Sequence, residues 1–144
     1  INSKPLAEKR GINISINKKD HKYKNYSSAI EFVITNEDGK KIYVVGTIGM
    51  NNEERIVSIK NHDVDMAISD NMIYLGNEDV PGVIGAVGAT LGKENINIAT
   101  MNVGRRENSA IMLLTVDSEV GRRALKALRE LSQIKWAHYL DLTI

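Results

Sequence analysis

Polar side chains that could hold a small ligand cluster just ahead of a predicted helix. Asn77, Glu78 and Asp79 follow the apolar run 72–75, which is typical of a short buried strand. Pro81 suits a first helical turn, because its fixed φ is already helical and its missing N–H would have had no partner. A helix N-terminus carries free N–H donors and partial positive charge, which suit a carboxylate. These residues therefore predict either a ligand site or a plain helix cap formed by the short polar side chains.

The predicted helix carries two stripes of residues. Its apolar stripe has spacings of three and four and predicts a face toward the core, formed by Ile84, Val87 and Leu91. A stripe of glycines lies one position round from it, at Gly85, Gly88 and Gly92. Each glycine inside a helix costs about 1 kcal/mol relative to alanine. The glycine stripe therefore predicts a helix pressed against another backbone, or one whose end moves.

A strand is predicted to follow this helix and to return beside the first strand. Asn95 tolerates the left-handed geometry that ends helices, and residues 96–98 begin a strand by alternation. Asn97 lies in that strand, and together with Asp79 it could contact the amine or hydroxyl group of a ligand.

The composition of the chain excludes several functional classes. The net charge is +1, from 19 basic and 18 acidic residues, which gives no reason to expect nucleic acid or an anionic membrane as a partner. Cysteine is absent, which removes disulfides, thiolate catalysis and iron–sulfur ligation. No apolar run approaches a membrane helix, and no signal-peptide pattern opens the chain, so we expect a cytoplasmic protein. Because the chain begins at Ile1, we expect a fragment of something longer.

No pattern in the chain is typical of catalysis. The three helical glycines are not spaced G-x-G-x-x-G at a strand-to-helix turn, so no NAD site is predicted in these residues. His21, His62 and His138 lie far apart in sequence, without the spacing of a metal site. A G-x-S-x-G elbow is also missing. We expect no catalytic residue and no metal site.

The first 70 residues predict a small antiparallel sheet. Residues 1–10 suggest a short helix ending at Gly11, and residues 12–16 alternate like a strand. The basic run 18–24 is typical of a solvated loop. Four further strands with tight turns are predicted at 28–35, 40–48, 55–59 and 64–68. Such a sheet must bury one face against something.

Residues 71–144 predict the order β-α-β-β-α-β of the ferredoxin-like fold. Strands are expected at 96–103, 110–116 and 134–142, and Asp117 or Ser118 could cap the second helix. One face of that helix is apolar, with Val120, Ala124, Ala127, Leu128 and Leu131. The polar break at 69–71 is short, so the halves 1–70 and 71–144 are expected to pack together.

Three stretches resemble the regulatory region of D-3-phosphoglycerate dehydrogenases. NEDVPGVI (77–84) and GKENINIATMNVGR (92–105) resemble the ACT domain, and INSKPLAEKRGI (1–12) is similar to the entry into the intervening, allosteric substrate-binding domain. The resemblance implies an α+β chain, with a small antiparallel β-rich domain at 1–70 followed by a ferredoxin-like βαββαβ ACT domain at 71–144. It implies a regulatory fragment from serine biosynthesis, with NAD and the catalytic residues in a missing upstream part.

The same resemblance implies an effector site for a small amino acid, with L-serine as the expected ligand, at a paired ACT interface. Family binding positions fall at Asn77, Asp79 and Asn97. The backbone that would receive the effector carboxylate comprises Val80, Pro81, Gly82, Val83 and Ile84. Val80 stands where an arginine is common in the family. Pairing along the edge strand 96–103 would give an oligomer with two equivalent sites.

In some family members the intervening domain also holds a phosphate-bearing ligand between subunits. Arg55 matches the first of three basic positions of that site, whereas the other two fall at Asp63 and Ala67. Lys60 and His62 lie nearby, so Arg55, Lys60 and His62 form the candidate anion site.

Two other interpretations remain open. The same domain order resembles the regulatory part of iron–sulfur L-serine dehydratases, which would change the parent enzyme and keep the fold. Alternatively, the chain is an oligomerisation module in which the loop 77–82 holds no ligand. Titration with serine and glycine separates a sensor from such a module.

Overall fold

The computed structural model describes residues 3–18, 23–107 and 109–143. Across those ranges, three helices accompany two four-stranded sheets. The elements in chain order are α1 Ser3–Lys9, β1 Ile30–Thr35, β2 Lys41–Ile48, β3 Glu54–Ile59, β4 His62–Ala67, β5 Asn71–Glu78, α2 Val83–Lys93, β6 Ile98–Arg106, β7 Ser109–Val116, α3 Arg122–Arg129 and β8 Ile134–Asp141. The predicted α+β class is confirmed.

The first sheet is an antiparallel meander with the strand order β1-β2-β3-β4. Gly39 takes a positive φ of 77° in the turn between β1 and β2, as its place in the predicted hairpin turn requires. Lys60 and Asn61 both take positive φ between β3 and β4. Two consecutive residues of positive φ make a tight hairpin turn, shorter than the predicted loop 60–63.

The segment 12–16 is not a strand, contrary to its alternation. Gly11 ends α1 as predicted, with φ +71° and its N–H donating to the Glu8 carbonyl at 3.0 Å. After it, Ile12, Ile14 and Ile16 lie exposed in irregular chain. Alternation is insufficient here because a strand needs a neighbour for its backbone groups, and the described residues supply none. Much of the basic run 18–24, including His21, falls outside the described residues.

The second sheet has the order β6-β7-β5-β8. The strand after α2 was expected to lie beside β5, which is wrong, because β7 pairs with β5 and separates it from β6. This split arrangement is the ferredoxin-like topology. The helices cover one face of the sheet, and their core includes Ile73, Leu75, Val87, Leu114 and Leu128.

The opposite face of the second sheet packs against the first sheet. Ile59, Val64 and Met66 of the first sheet share one buried cluster with Met72, Ile111 and Leu113 of the second. The first sheet therefore buries residues of β3 and β4 against the second sheet, whereas β1 is exposed along its whole length.

Helix α2 begins differently from the prediction. Its N-cap is Gly82, with φ +90°, and no side chain in the described part of the chain caps it, so Asn77 and Asp79 are not caps. Pro81 precedes the cap. The buried face begins at Val83, whereas Ile84 is 50% exposed. The helix starts later than Pro81, and the four-residue spacing of Val83, Val87 and Leu91 sets its buried face.

The glycine stripe and the second helix also differ from expectation. A Cβ atom at Gly85, Gly88 or Gly92 would meet nothing within 4 Å, so α2 is not pressed against another described backbone of this chain. Helix α3 is preceded by Gly121 and has no side-chain cap, which excludes Asp117 and Ser118 as its caps. Its predicted apolar face is present, with Ala124 and Leu128 buried.

Candidate functional site

A cleft of about 330 Å³ opens at the N-terminus of α2. Its walls are the C-terminal end of β5, the turn into α2 and the C-terminal half of β6. The residues that line it are Asn77, Asp79, Val80, Pro81, Gly82, Val83, Ile84, Val103, Arg105 and Met112. Seven of the eight residues predicted for an effector site therefore lie around one cavity, whose size suits a small molecule.

The helix end supplies unpaired donors to this cleft. The first backbone hydrogen bond of α2 runs from the Ala86 N–H to the Gly82 carbonyl at 3.0 Å. The N–H groups ahead of Ala86 have no acceptor within the helix. Because no side chain of the described residues caps them, the N-terminus of α2 can receive an anionic group.

Asn77 lies beside these donors and offers an unpaired acceptor. Its side chain is 2% exposed, and Nδ2 donates to the Glu78 carbonyl at 2.6 Å. Oδ1 is buried and has no hydrogen-bond partner among the described residues. An unsatisfied buried polar atom costs about 1–3 kcal/mol, and such atoms are rare in native proteins. Because Oδ1 is shielded even from water, a ligand N–H or O–H group reaches it only if the Asn77 side chain turns toward the cleft.

An ion pair crosses the mouth of the cleft. The Arg105 Nε lies 3.2 Å from the Asp79 Oδ1, and the side chains are 67% and 30% exposed, respectively. Arg105 was not among the residues predicted for the site. Its signal in the sequence was its place two residues after Val103, which puts both side chains on the same face of β6. The cleft therefore contains one carboxylate and one guanidinium.

Asn97 lies away from the cleft of its own chain. It follows the C-terminal end of α2, and its Nδ2 donates to the Asp117 Oδ2 at 2.6 Å. An eleven-residue helix is roughly 16 Å long, so the two ends of α2 are separate places on the surface. One copy of the chain does not bring Asn97 to the other predicted effector residues.

The three residues of the candidate anion site are engaged separately. Arg55 contacts Asp65 Oδ1 through Nε at 2.6 Å and Glu53 Oε1 through Nη1 at 2.5 Å, and the hydrogen bond to Asp65 is the main cause of its raised pKa. His62 is buried, with Nε2 lying 3.3 Å from the Ser109 Oγ. Lys60 lies over the ring of Trp136, with Nζ 5.0 Å from the ring centroid.

Among the described residues, no group of three or more His, Asp or Glu side chains could hold a metal ion. No helix in that part of the chain is long and apolar enough to cross a membrane.

Comparison with known proteins identifies two regions of the chain. The D-3-phosphoglycerate dehydrogenase intervening domain matches residues 1–60, and the ACT domain matches residues 71–133. Similar curated proteins include the D-3-phosphoglycerate dehydrogenases of Archaeoglobus fulgidus, 37% identical, Bacillus subtilis, 34% identical, and Methanocaldococcus jannaschii, 32% identical. Each alignment covers 99% of this chain and 27% of the relative, so the chain spans about a quarter of their length.

Proposed function

We propose that this chain, which belongs to the D-3-phosphoglycerate dehydrogenase family as its C-terminal intervening and ACT regulatory region, senses a small amino acid, L-serine, at the cleft before α2. The observation that carries the proposal is that Asn77, a lining residue of that cleft, keeps a buried Oδ1 without a hydrogen-bond partner among the described residues. A buried acceptor without a hydrogen-bond partner lowers stability, so we expect a ligand to supply the missing donor.

The chemistry of the cleft fits an amino acid. The free N–H groups at the start of α2 receive the carboxylate, where the helix dipole favours negative charge. The Asn77 Oδ1 and the Asp79 carboxylate accept hydrogen bonds from the ammonium and hydroxyl groups. L-serine offers all three groups in a molecule small enough for about 330 Å³.

A second copy of the chain completes the site in this proposal. β6 is an edge strand of its sheet, and its residues Ala99 and Thr100 are exposed. Further along β6, Gly104 packs against β4. Pairing of two copies along the free N-terminal half of β6 forms an isologous interface, and Asn97, just before that strand, then contributes to the partner's cleft.

The wider role of the chain is regulation of a longer enzyme. We place the domain boundary at residues 70 and 71. Serine binding changes the paired interface, and the packed sheets of the two domains carry that change toward a catalytic part that binds NAD and lies outside residues 1–144.

The relatives found are dehydrogenases, which favours this parent over an L-serine dehydratase. The compartment we propose is the cytoplasm, although two plant relatives are named chloroplastic.

Isothermal titration tests the sensor directly. We expect saturable heat with L-serine, and weaker heat with glycine because it lacks the hydroxyl group. If neither ligand gives heat at millimolar concentration, the chain is an oligomerisation module with an empty loop, and the proposal fails.

A further inference from the structure

We propose that Asp79 and Arg105 form a charge clamp that restricts the cleft to zwitterions. In the free protein the two side chains neutralise each other across the mouth. When an amino acid enters, Arg105 turns to its carboxylate, and Asp79 accepts from its ammonium group. This inference rests on the proposed function and deepens it, because it names the feature that selects an α-amino acid over a simple amine or acid.

The positions of the two charges support the clamp. Asp79 follows β5, whereas Arg105 lies near the end of β6, so the pair joins two walls of the same cleft. Successive residues of a strand point to opposite faces, so Gly104 and Arg106 face away from the cleft. The Gly104 position is fixed by close approach to β4, since a Cβ there would lie 2.7 Å from the Asp63 carbonyl oxygen. The backbone that carries Arg105 is therefore held in place.

The pair is also exchangeable. Both side chains have access to water, and exposed ion pairs contribute little to stability, so a ligand can separate them at small cost. The guanidinium carries five N–H donors in a planar fork that matches a carboxylate, and the contact with Asp79 involves Nε. Arg105 can therefore exchange one carboxylate for another.

Selectivity follows from what each incomplete ligand leaves behind. An amine without a carboxylate occupies Asp79 and leaves Arg105 without its ion partner. An acid without an ammonium group occupies Arg105 and leaves the Asp79 carboxylate without its cation. Only a zwitterion pairs both charges, so it binds more tightly than a simple amine or acid. This difference in affinity gives the cleft its selectivity.

Calorimetry with three related ligands tests the clamp. The ligands are L-serine, ethanolamine, which lacks the carboxylate, and L-glycerate, in which a hydroxyl group replaces the ammonium at the same configuration. In Arg105→Ala we expect the Kd for serine to rise about tenfold or more, as for loss of a charge-assisted hydrogen bond. Ethanolamine should bind at least as tightly as to wild type, because Asp79 no longer has a partner to release. Arg105→Gln repeats the test with an uncharged polar side chain that is longer than that of alanine.

Arg106→Ala is the matched control, since it removes the same charge from the adjacent, outward position of β6. It should leave the Kd for serine within about twofold of wild type, as expected for a screened charge outside the site. Equal losses in the two variants, or an unchanged serine Kd in Arg105→Ala, would overturn the clamp and leave the sensor standing. If the wild-type protein does not bind serine, that result contradicts the proposed function, and the charge clamp is then contradicted as well.

Discussion

Asn77 shows how one residue can be costly to the fold and useful to a site. Its backbone lies inside β5, between strands β7 and β8, while its side chain is buried with an acceptor that the described residues do not satisfy. An apolar side chain of similar size would fit the surrounding core better. We interpret the asparagine as a binding residue that reduces stability in the absence of ligand.

Replacement of Asn77 by leucine should therefore separate stability from binding. In Asn77→Leu we expect serine binding to be lost while the free energy of unfolding stays within about 1 kcal/mol of wild type, because removal of the unsatisfied acceptor offsets loss of the hydrogen bond to the Glu78 carbonyl. Urea unfolding and calorimetry measure the two effects. A variant that still binds serine with wild-type affinity would remove Asn77 from the site.

Tyr74 provides the matched control for Asn77. Its hydroxyl group is also buried without a partner among the described residues, but it is not a lining residue of the cleft. Tyr74→Phe should stabilise the protein by about 1 kcal/mol while leaving the serine Kd unchanged. Loss of serine binding in this variant would mean that the affinity responds to packing between the two sheets.

The same tyrosine predicts a dependence of stability on alkaline pH. Burial raises the pKa of Tyr74 from 10.0 to about 12 in the folded protein. The unfolded chain therefore releases this proton first, so the stabilisation is complete below pH 10 and is lost as the pH rises toward 12. Urea unfolding at pH 8 and pH 11 should show a smaller decline in Tyr74→Phe than in wild type. Equal declines in wild type and Tyr74→Phe would show that Tyr74 is not the group responsible for the loss of stability.

At the scale of elements, the contact between β4 and β6 joins the two domains next to the cleft. Gly104 lies against the Asp63 carbonyl, and the Asn102 Nδ2 donates weakly to the Asp65 carbonyl at 3.4 Å. His62 adds a contact to Ser109 at the start of β7. β6 thus has one face toward the cleft and the other toward the first domain, which makes it the element best placed to carry a signal between them.

A methyl group at Gly104 should disturb this contact. Gly104→Ala places a Cβ at 2.7 Å from a backbone oxygen that cannot turn aside, so we expect a loss of about 1–3 kcal/mol in the free energy of unfolding. Gly85→Ala is the control, because its Cβ meets nothing within 4 Å and a helical alanine should add about 1 kcal/mol. Similar destabilisation in both variants would argue against the close contact as the cause.

At the scale of the whole molecule, the proposed site requires two chains, because Asn97 and Asn77 lie near opposite ends of α2. Asn97→Ala should abolish serine binding in calorimetry and leave the fold intact by circular dichroism. Unchanged serine heat in that variant would remove Asn97 from the site.

Mixing the two inactive variants tests whether the residues act across the interface. When Asn77→Leu and Asn97→Ala chains are co-refolded in equal amounts, each mixed dimer holds one intact site. Random pairing then restores about one site per four chains. No recovery of serine binding would show that the two residues do not form a site in trans. Homodimers of either variant provide the baseline.

Local chemistry in the sequence was sufficient for much of the fold. The turn at Gly39, the end of α1 at Gly11 and the strands of both sheets depend on backbone preferences and short-range alternation, which a few neighbouring residues determine. Seven of the eight expected effector residues meet at one cleft because they are contiguous or close in sequence. The turn, the helix end and the extended segments were predictable because short-range preferences determine them, and the effector positions followed from the resemblance to the family.

Other features depended on which distant segments meet. The exposed isoleucines at 12–16 alternate like a strand but have no pairing partner in the described chain, and β7 takes the place beside β5 that was expected for β6. The same holds for the burial of Asn77 and for the pairing of Arg105 with Asp79. Residue types show which groups can interact. Burial and distance, however, arise only when remote strands pack together. Those two quantities bring Asp79 beside Arg105 and leave the Asn77 acceptor without a partner.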